Sequence, residues 1–117
     1  MRKTVIFDLD GTLALIDKRR DLSMVNHKRD WDVFFDPNNI QLDDPNTPVI
    51  TMAQLLHSQG YKIVMRPTDR KSHFMPDNML KQNWLYTTLR NDDIFAVFDD
   101  RQQVVDMWRD NGLTVFQ

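Results

Sequence analysis

The chain of 117 residues contains no cysteine and only three glycines. Without cysteine there is no disulfide framework, no thiolate metal site and no cysteine nucleophile. Three isolated glycines, at positions 11, 60 and 112, are too few for the glycine-rich P-loop of a nucleotide kinase. No apolar run approaches the length of a membrane span, and the chain leads from Met1 directly into an apolar stretch rather than into a signal peptide. We therefore expect a cytoplasmic protein without membrane contact.

Positive charge is not in excess either, since the formal net charge is -2 at pH 7. Without a basic field over its surface, the chain is not expected to bind a long nucleic-acid duplex. A nucleic-acid terminus or a phosphorylated small molecule such as a nucleotide is compatible with this charge. The length suits one hydrophobic core, so we expect a single domain over residues 1–117. The sequence leaves open whether the chain forms a homo-oligomer.

Two apolar stretches, residues 5–7 and 94–98, each end in a pair of carboxylates. The carboxylates belong to Asp8, Asp10, Asp99 and Asp100. An apolar run that stops abruptly in polar residues is typical of a buried strand, and open α/β sheets bind ligands at the carboxyl ends of their strands. One such stretch can be an Asp-Gly turn in which the carboxylates only accept backbone hydrogen bonds. Two in one small chain indicate four carboxylates that converge on a cation.

The rest of the sequence alternates strand and helix patterns. Strands are predicted over residues 3–8, 61–65, 94–98 and 113–116, and helices over 48–60, 76–89 and 101–111. This alternation implies parallel strands joined by right-handed crossovers. We expect an α/β fold, a small Rossmann-like three-layer sandwich with a short, mainly parallel sheet of about four strands. The first strand is apolar on both faces and should be central.

Residues 14–48 do not fit the alternation and are expected to form a small cap-like insertion. Three aromatic residues at helical spacing are interpreted as core, with stacking on a nucleobase as the alternative. They are Trp31, Phe34 and Phe35. Scattered basic residues in the insertion are interpreted as a solvated face, although they are also candidates for steering a phosphate-bearing end. They are Arg19, Arg20, Lys28 and Arg29.

The motif Asp8-Leu9-Asp10-Gly11-Thr12, followed much later by Asp99-Asp100, resembles the first and fourth motifs of the haloacid dehalogenase (HAD) superfamily of Mg²⁺-dependent phosphatases. The segment Phe98-Asp99-Asp100-Arg101-Gln102-Gln103-Val104-Val105-Asp106-Met107-Trp108-Arg109 closely resembles the 3'-phosphatase domain of bacteriophage polynucleotide kinase and its stand-alone phage relatives. The resemblance implies a HAD-type fold. It also implies a location in the host cytoplasm if the chain is phage-encoded.

The same resemblance implies a role for each carboxylate. Asp8 would be the nucleophile that forms an aspartyl-phosphate, and Asp10 would protonate the leaving oxygen and then activate water. Mg²⁺ would be held by Asp8, the Asp10 carbonyl and Asp99, with Asp100 as a second ligand or as support. The implied activity is Mg²⁺-dependent hydrolysis of phosphomonoesters, on nucleic-acid 3'-phosphate ends or on nucleotides.

A positive charge and hydrogen-bond donors are needed for the phosphoryl group. The segment Met75-Pro76-Asp77-Asn78-Met79-Leu80-Lys81 resembles the phage family's segment around the superfamily's lysine, so Lys81 is the catalytic candidate. The alternative is a solvated helix lysine. The backbone amides around Gly11 and Thr12 are expected to face an anion, and Thr12 is assigned to substrate binding.

The second HAD motif, Ser or Thr followed by Gly-Arg, is absent. Here Ile63-Val64 is followed by Met65-Arg66-Pro67-Thr68-Asp69-Arg70. Either Thr68 and Arg70 replace the motif one position late, or Met65-Arg66 matches a later family segment and a helix and strand of roughly 25 residues are missing.

The second interpretation is favoured, because the downstream Pro-Asp pattern then aligns as well. It makes Arg66 a substrate contact and Thr68 incidental, and both are kept as candidate substrate-binding residues. It also places the second strand at the sheet edge and removes one donor to the phosphoryl group. An alternative function therefore stays open: an impaired or vestigial HAD domain that binds Mg²⁺ and phosphate without turnover.

Overall fold

The fold is built around strand β1, which all the other layers contact. A computed structural model of the chain describes residues 2–34, 36–65 and 76–117. In chain order the elements are β1 (Thr4–Phe7), β2 (Ala14–Leu15), α1 (Asp17–Leu22), β3 (Met24–Val25), β4 (Lys28–Arg29), α2 (Trp31–Phe34), α3 (Pro37–Ile40), β5 (Asp44–Pro45), α4 (Thr47–Ser58), β6 (Lys62–Met65), α5 (Asp77–Tyr86), β7 (Ile94–Phe98), α6 (Gln102–Asp110) and β8 (Val115–Phe116).

The main sheet is parallel and has the strand order β6-β1-β7-β8. Ile6 of β1 is in register with Val64 of β6 on one side and with Val97 of β7 on the other. All four residues of β1 are buried, as expected for a strand covered on both faces. The predictions of a four-stranded parallel sheet and of a central first strand are confirmed. Within the described part of the chain β6 lies at the sheet edge, as predicted.

Alternate side chains of a strand point to opposite sides, so both faces of this sheet are apolar. Helices cover each of them. Ile6 and Val97 pack into a core with residues of α5 and α6, including Trp84 and Trp108. Val5 and Phe7 face the other way and pack against α4, where Ile50 and Leu56 are contacts. The three-layer α/β sandwich predicted from the sequence is therefore confirmed. Each of the described helices is too short or too polar to traverse a lipid bilayer.

The insertion leaves and rejoins the sandwich at one place. Strand β2 pairs antiparallel with β5, which brings Ala14 next to Pro45. Between them, β3 and β4 form a short hairpin whose turn residues, Asn26 and His27, have positive φ angles of 51° and 64°. Because the two ends of the insertion are paired, residues in it are held close to the loop that follows β1.

Candidate active site

Three carboxylates meet at the carboxyl ends of β1 and β7. These strands are neighbours, and the backbone N–H of Asp8 donates to the carbonyl of Phe98 at 2.9 Å. The side chains of Asp8 and Asp99 therefore leave the sheet side by side, and both are buried. One oxygen from each of Asp8, Asp99 and Asp100 lies within 4.8 Å of the others. The structure thus brings together three of the four carboxylates that the sequence singles out.

Lys81 of α5 bridges two of these carboxylates. Its Nζ donates to Asp8 Oδ1 and to Asp99 Oδ2, at 2.8 Å in both cases. It also lies 3.5 Å from Asp77 Oδ2, one helical turn earlier. Lys81 is only 2% exposed, so the interpretation of a solvated helix lysine is wrong. The structure places its ammonium group beside the predicted nucleophile.

The charges of this cluster do not balance. Burial raises the pKa of Asp8 to about 7, against the opposing pull of Lys81 and with a further contribution from Asp99. For Lys81 burial disfavours the charged form, but Asp8, Asp99 and Asp77 outweigh it and raise the pKa of the lysine. The ammonium group is therefore present at neutral pH, and one positive charge faces several acidic groups.

The Asp10 carboxylate lies apart from the three-carboxylate cluster and is held by Arg19 of α1. Arg19 Nη2 donates to Asp10 Oδ1 at 2.9 Å and to Asp43 Oδ2 at 2.7 Å. Its Nε donates to Asp43 Oδ1 at 3.1 Å, and its Nη1 to the Phe34 carbonyl at 3.3 Å. Arg19 is 1% exposed, so its interpretation as part of a solvated face is wrong. Arg19 therefore links the insertion to the predicted acid-base residue.

The loop after β1 is a tight turn rather than an open anion cradle. The backbone N–H of Gly11 donates to the carbonyl of Ala14 at 2.8 Å, and that of Thr12 to the carbonyl of Leu9 at 3.3 Å. The turn itself therefore uses the N–H groups of Gly11 and Thr12, and the assignment of Thr12 to substrate binding stays a prediction. The Thr12 hydroxyl lies 3.5 Å from Asp100 Oδ1.

Two of the predicted substrate contacts, Arg66 and Thr68, lie outside the described residues. Their proposed contacts with a phosphoryl group stay predictions. The acidic residue Asp43, which sequence reasoning missed, is part of the structure around Asp10. No spacing signal identifies it, since it contacts Arg19 across 24 residues of chain.

The relatives of this chain are consistent with the geometry. A family model described as the polynucleotide kinase PNKP phosphatase domain matches residues 2–88 and 65–117. Comparison with curated proteins gives no match. Among solved structures, a chain of the Pnkp1/Rnl/Hen1 complex is 27% identical with a TM-score of 0.73, and the match covers 100% of this chain and 46% of that one.

A chain from a structure of the Pnkp1/Rnl/Hen1 RNA repair complex has the same identity and TM-score, with 42% of its length covered. The present chain thus spans less than half the length of these solved relatives. The family match, in contrast, extends over nearly all of its residues. The resemblance to HAD phosphatases noted in the sequence is confirmed, and the chain belongs to the HAD-type family of polynucleotide kinase PNKP phosphatase domains.

Proposed function

We propose that this chain is a Mg²⁺-dependent phosphomonoester hydrolase that works through an aspartyl-phosphate on Asp8. The observation that carries the proposal is the cluster of Asp8, Asp99 and Asp100, in which Lys81 bridges the first two carboxylates. Burying several carboxylates with one lysine costs desolvation free energy, which a further cation would offset. Such clusters of perturbed acidic groups are typical of functional sites. The family membership supplies the reaction class.

The donor set fits Mg²⁺. This hard cation prefers oxygen ligands and is usually held by one or two carboxylates together with water and phosphate oxygens. Oxygens of Asp8, Asp99 and Asp100 are close enough to share one ion, and Lys81 alone does not neutralise them. We assign these three carboxylates and the Asp10 carbonyl to the metal. When bound, Mg²⁺ would screen the repulsion between the Asp8 carboxylate and an anionic phosphate.

Asp8 and Asp10 then divide the chemistry between them. An Asp8 oxygen attacks phosphorus and the bond to the leaving oxygen breaks, while Asp10 gives that oxygen a proton. In the second half Asp10 takes a proton from water, the water oxygen attacks phosphorus, and the bond to Asp8 breaks to release phosphate. Lys81 holds Asp8 in place and adds positive charge where the phosphoryl oxygens gather.

The substrate proposed is a nucleic-acid 3'-phosphate end or a nucleotide. The family description names a polynucleotide kinase phosphatase domain, and one solved relative belongs to an RNA repair complex. A formal net charge of -2 favours a short terminus over a long duplex.

The test is phosphate release from three substrates: an oligonucleotide 3'-phosphate, a free nucleotide and a simple aryl phosphate. With Mg²⁺ we expect release from at least one, strongest for the oligonucleotide, and none after addition of a chelator. Asp8→Asn should abolish release, whereas Asp110→Asn, at the far end of α6, should leave it unchanged. Equal activity of Asp8→Asn and wild type would exclude Asp8 as the nucleophile.

A second candidate function is an impaired domain that binds Mg²⁺ and phosphate without turnover. It is favoured by Met65, which stands at the end of β6 where the family has a Ser or Thr. Loss of one donor to the phosphoryl group typically costs about 3 kcal/mol of transition-state stabilisation. Mg²⁺ binding without hydrolysis of any of the three substrates would support this candidate.

A further inference from the structure

Trp108 of α6 makes a polar contact inside the site. Its side chain is 0% exposed, and its Nε1–H donates to Asp99 Oδ2 at 3.2 Å. The same oxygen accepts from Lys81 Nζ at 2.8 Å. The other carboxylate oxygen, Asp99 Oδ1, accepts from the backbone N–H of Arg101 at 3.3 Å. Asp99 is thus held by donors from three directions.

Of these three donors, the indole N–H belongs to a rigid side chain that is packed in the hydrophobic core. A buried indole normally finds an acceptor, and hydrogen bonds to an ionised acceptor are roughly twice as strong as those between neutral groups. The Arg101 N–H holds the other oxygen, Oδ1, and Lys81 shares its ammonium group between Asp99 and Asp8. Trp108, in contrast, is packed between buried neighbours of the same core, including Val104 and Val105.

We propose that Trp108 is a positioning residue for the metal and phosphoryl site. By holding Asp99 Oδ2, it keeps the carboxylate turned so that Lys81 bridges to Asp8, and so that the acidic cluster keeps its spacing for a divalent cation. Without the indole N–H, Lys81 and the Arg101 N–H still hold the carboxylate, but its terminal torsion, which is intrinsically broad, is less restrained. The inference rests on the proposed function, because it assigns to this cluster the binding of Mg²⁺.

The first test uses the wild-type protein and needs no activity. The three tryptophans give separate indole N–H resonances in an ¹⁵N-correlated spectrum, and Trp108→Phe identifies the one that belongs to Trp108. Titration with MgCl₂ should shift the Trp108 resonance, because its acceptor belongs to the cluster that takes up the ion. Trp84 lies in the same core and should shift much less. Equal shifts of the two resonances, or none at Trp108, would overturn the inference.

The second test compares Trp108→Phe with Trp84→Phe. Both variants lose part of a buried ring system, but only the first loses the donor to Asp99. Changes in groups that orient metal ligands typically cost 10- to 100-fold in metal affinity or activity. We expect the Mg²⁺ dissociation constant from calorimetry to rise by about tenfold or more in Trp108→Phe, and to stay within about twofold in Trp84→Phe.

At saturating Mg²⁺, kcat of Trp108→Phe should still be reduced while KM for the substrate changes little, because Asp99 holds Lys81 and does not bind the leaving group. Unchanged Mg²⁺ affinity and kcat in a folded Trp108→Phe would overturn the inference and leave the proposed function standing. A wild-type protein that binds no Mg²⁺ would overturn both. If Trp108→Phe does not fold, the wild-type titration decides, with the resonance assigned through bond correlations.

Discussion

Asp8 gives the molecule a predictable dependence on pH in the absence of metal. Burial raises its pKa from 3.8 in the unfolded chain to about 7 in the fold. The folded state therefore binds more protons than the unfolded state between these values. The contribution of Asp8 to stability is fully present below about pH 4 and is lost as the pH rises toward 7. We expect the free energy of unfolding of the metal-free protein to fall over this range because of Asp8.

The measurement is urea unfolding with a chelator present, at several pH values from 4 to 8. Asp8→Asn cannot ionise at this position, so its stability relative to wild type should increase from pH 4 to 7 and level off above. The comparison with the variant removes the contribution of the other titrating groups, which both proteins share. A constant difference across the pH range would mean that Asp8 has an ordinary pKa in the fold.

The second prediction at the residue scale concerns the stability and activity of a variant at Arg19. It is the shared partner of two carboxylates, Asp10 and Asp43, and it is buried. Removing one partner of a buried ion pair typically costs about 3–5 kcal/mol, because the remaining charge stays desolvated. Arg19→Ala should lose stability on this order and should lower kcat by about a hundredfold or more, since Asp10 is no longer oriented for acid-base catalysis.

The control for Arg19→Ala is Arg20→Ala, the next residue along α1. Arg20 is half exposed and pairs with Asp17 at the surface, so its removal should cost no more than about 1 kcal/mol. Activity should stay close to wild type. Full activity of Arg19→Ala, in a protein shown to be folded, would exclude a role of Arg19 in orienting Asp10.

These two arginines also show where reasoning from the sequence ends. Asp8, Asp99 and Lys81 were found because their motifs resemble a known family in the right strand and helix contexts. Arg19 and Arg20 are adjacent and chemically identical, and nothing in their spacing separates them. Arg19 differs from Arg20 because it pairs with Asp43. The antiparallel pairing of β2 with β5 brings Asp43 back to the start of the insertion. That pairing depends on two residues in each strand, too few to give a periodic signal.

At the scale of elements, the sandwich was predictable, whereas the short helices and strands inside the insertion were not. Strands β1, β6 and β7 each contain at least three consecutive apolar residues, as is typical of parallel sheets. Helix α6 has its apolar residues on one face. Predicted boundaries differ from the observed ones by one or two residues in most of these elements. In the insertion the helices have four to six residues and the strands two, so tertiary contacts rather than local patterns determine them.

At the scale of elements, the prediction concerns Gly11 in the loop between β1 and β2. Gly11 has a φ of +81°, and a Cβ placed there would lie 2.2 Å from Asp100 Oδ2. Gly11→Ala must therefore displace the Asp100 carboxylate in addition to straining the backbone. We expect weaker Mg²⁺ binding and a loss of phosphatase activity by at least tenfold, measured by calorimetry and by phosphate release.

Gly112→Ala is the matched control for Gly11→Ala. Gly112 also has a φ of +81°, but a Cβ at this position meets nothing within 4 Å. Both variants should lose a similar amount of stability from the backbone strain, roughly 1 kcal/mol or somewhat more. Only Gly11→Ala should lose metal affinity. If the two variants bind Mg²⁺ equally well, Asp100 does not contribute to the metal site.

For the molecule as a whole, the site joins residues that are far apart in sequence and that the sandwich brings together. Asp8 comes from the end of β1, Lys81 from α5, and Asp99 from the end of β7, and each lies on an element packed into one of the two cores. An ion bound by this cluster would therefore connect the folded elements and would have no comparable site in the unfolded chain. Metal binding and folding stability should be coupled.

This coupling gives a prediction that holds whether or not the domain turns over substrate. A ligand that binds only the folded state at 100 times its dissociation constant adds about 2.7 kcal/mol of stability. For a domain of this size the melting temperature should rise by roughly 10 °C, which differential scanning calorimetry can measure with MgCl₂ and with a chelator. Asp100→Asn should lose most of the rise, because Asp100 supplies one of the three clustered oxygens.

Asp110→Asn removes the same charge at the other end of α6, so the rise should persist in that variant. A rise in wild type without phosphate release would leave the metal site intact and would support the impaired domain proposed above, with its defect at the end of β6. No rise in wild type, at pH 8 where Asp8 is ionised, would mean that Lys81 satisfies the cluster without a metal, and the phosphatase mechanism proposed here would fail at its first requirement.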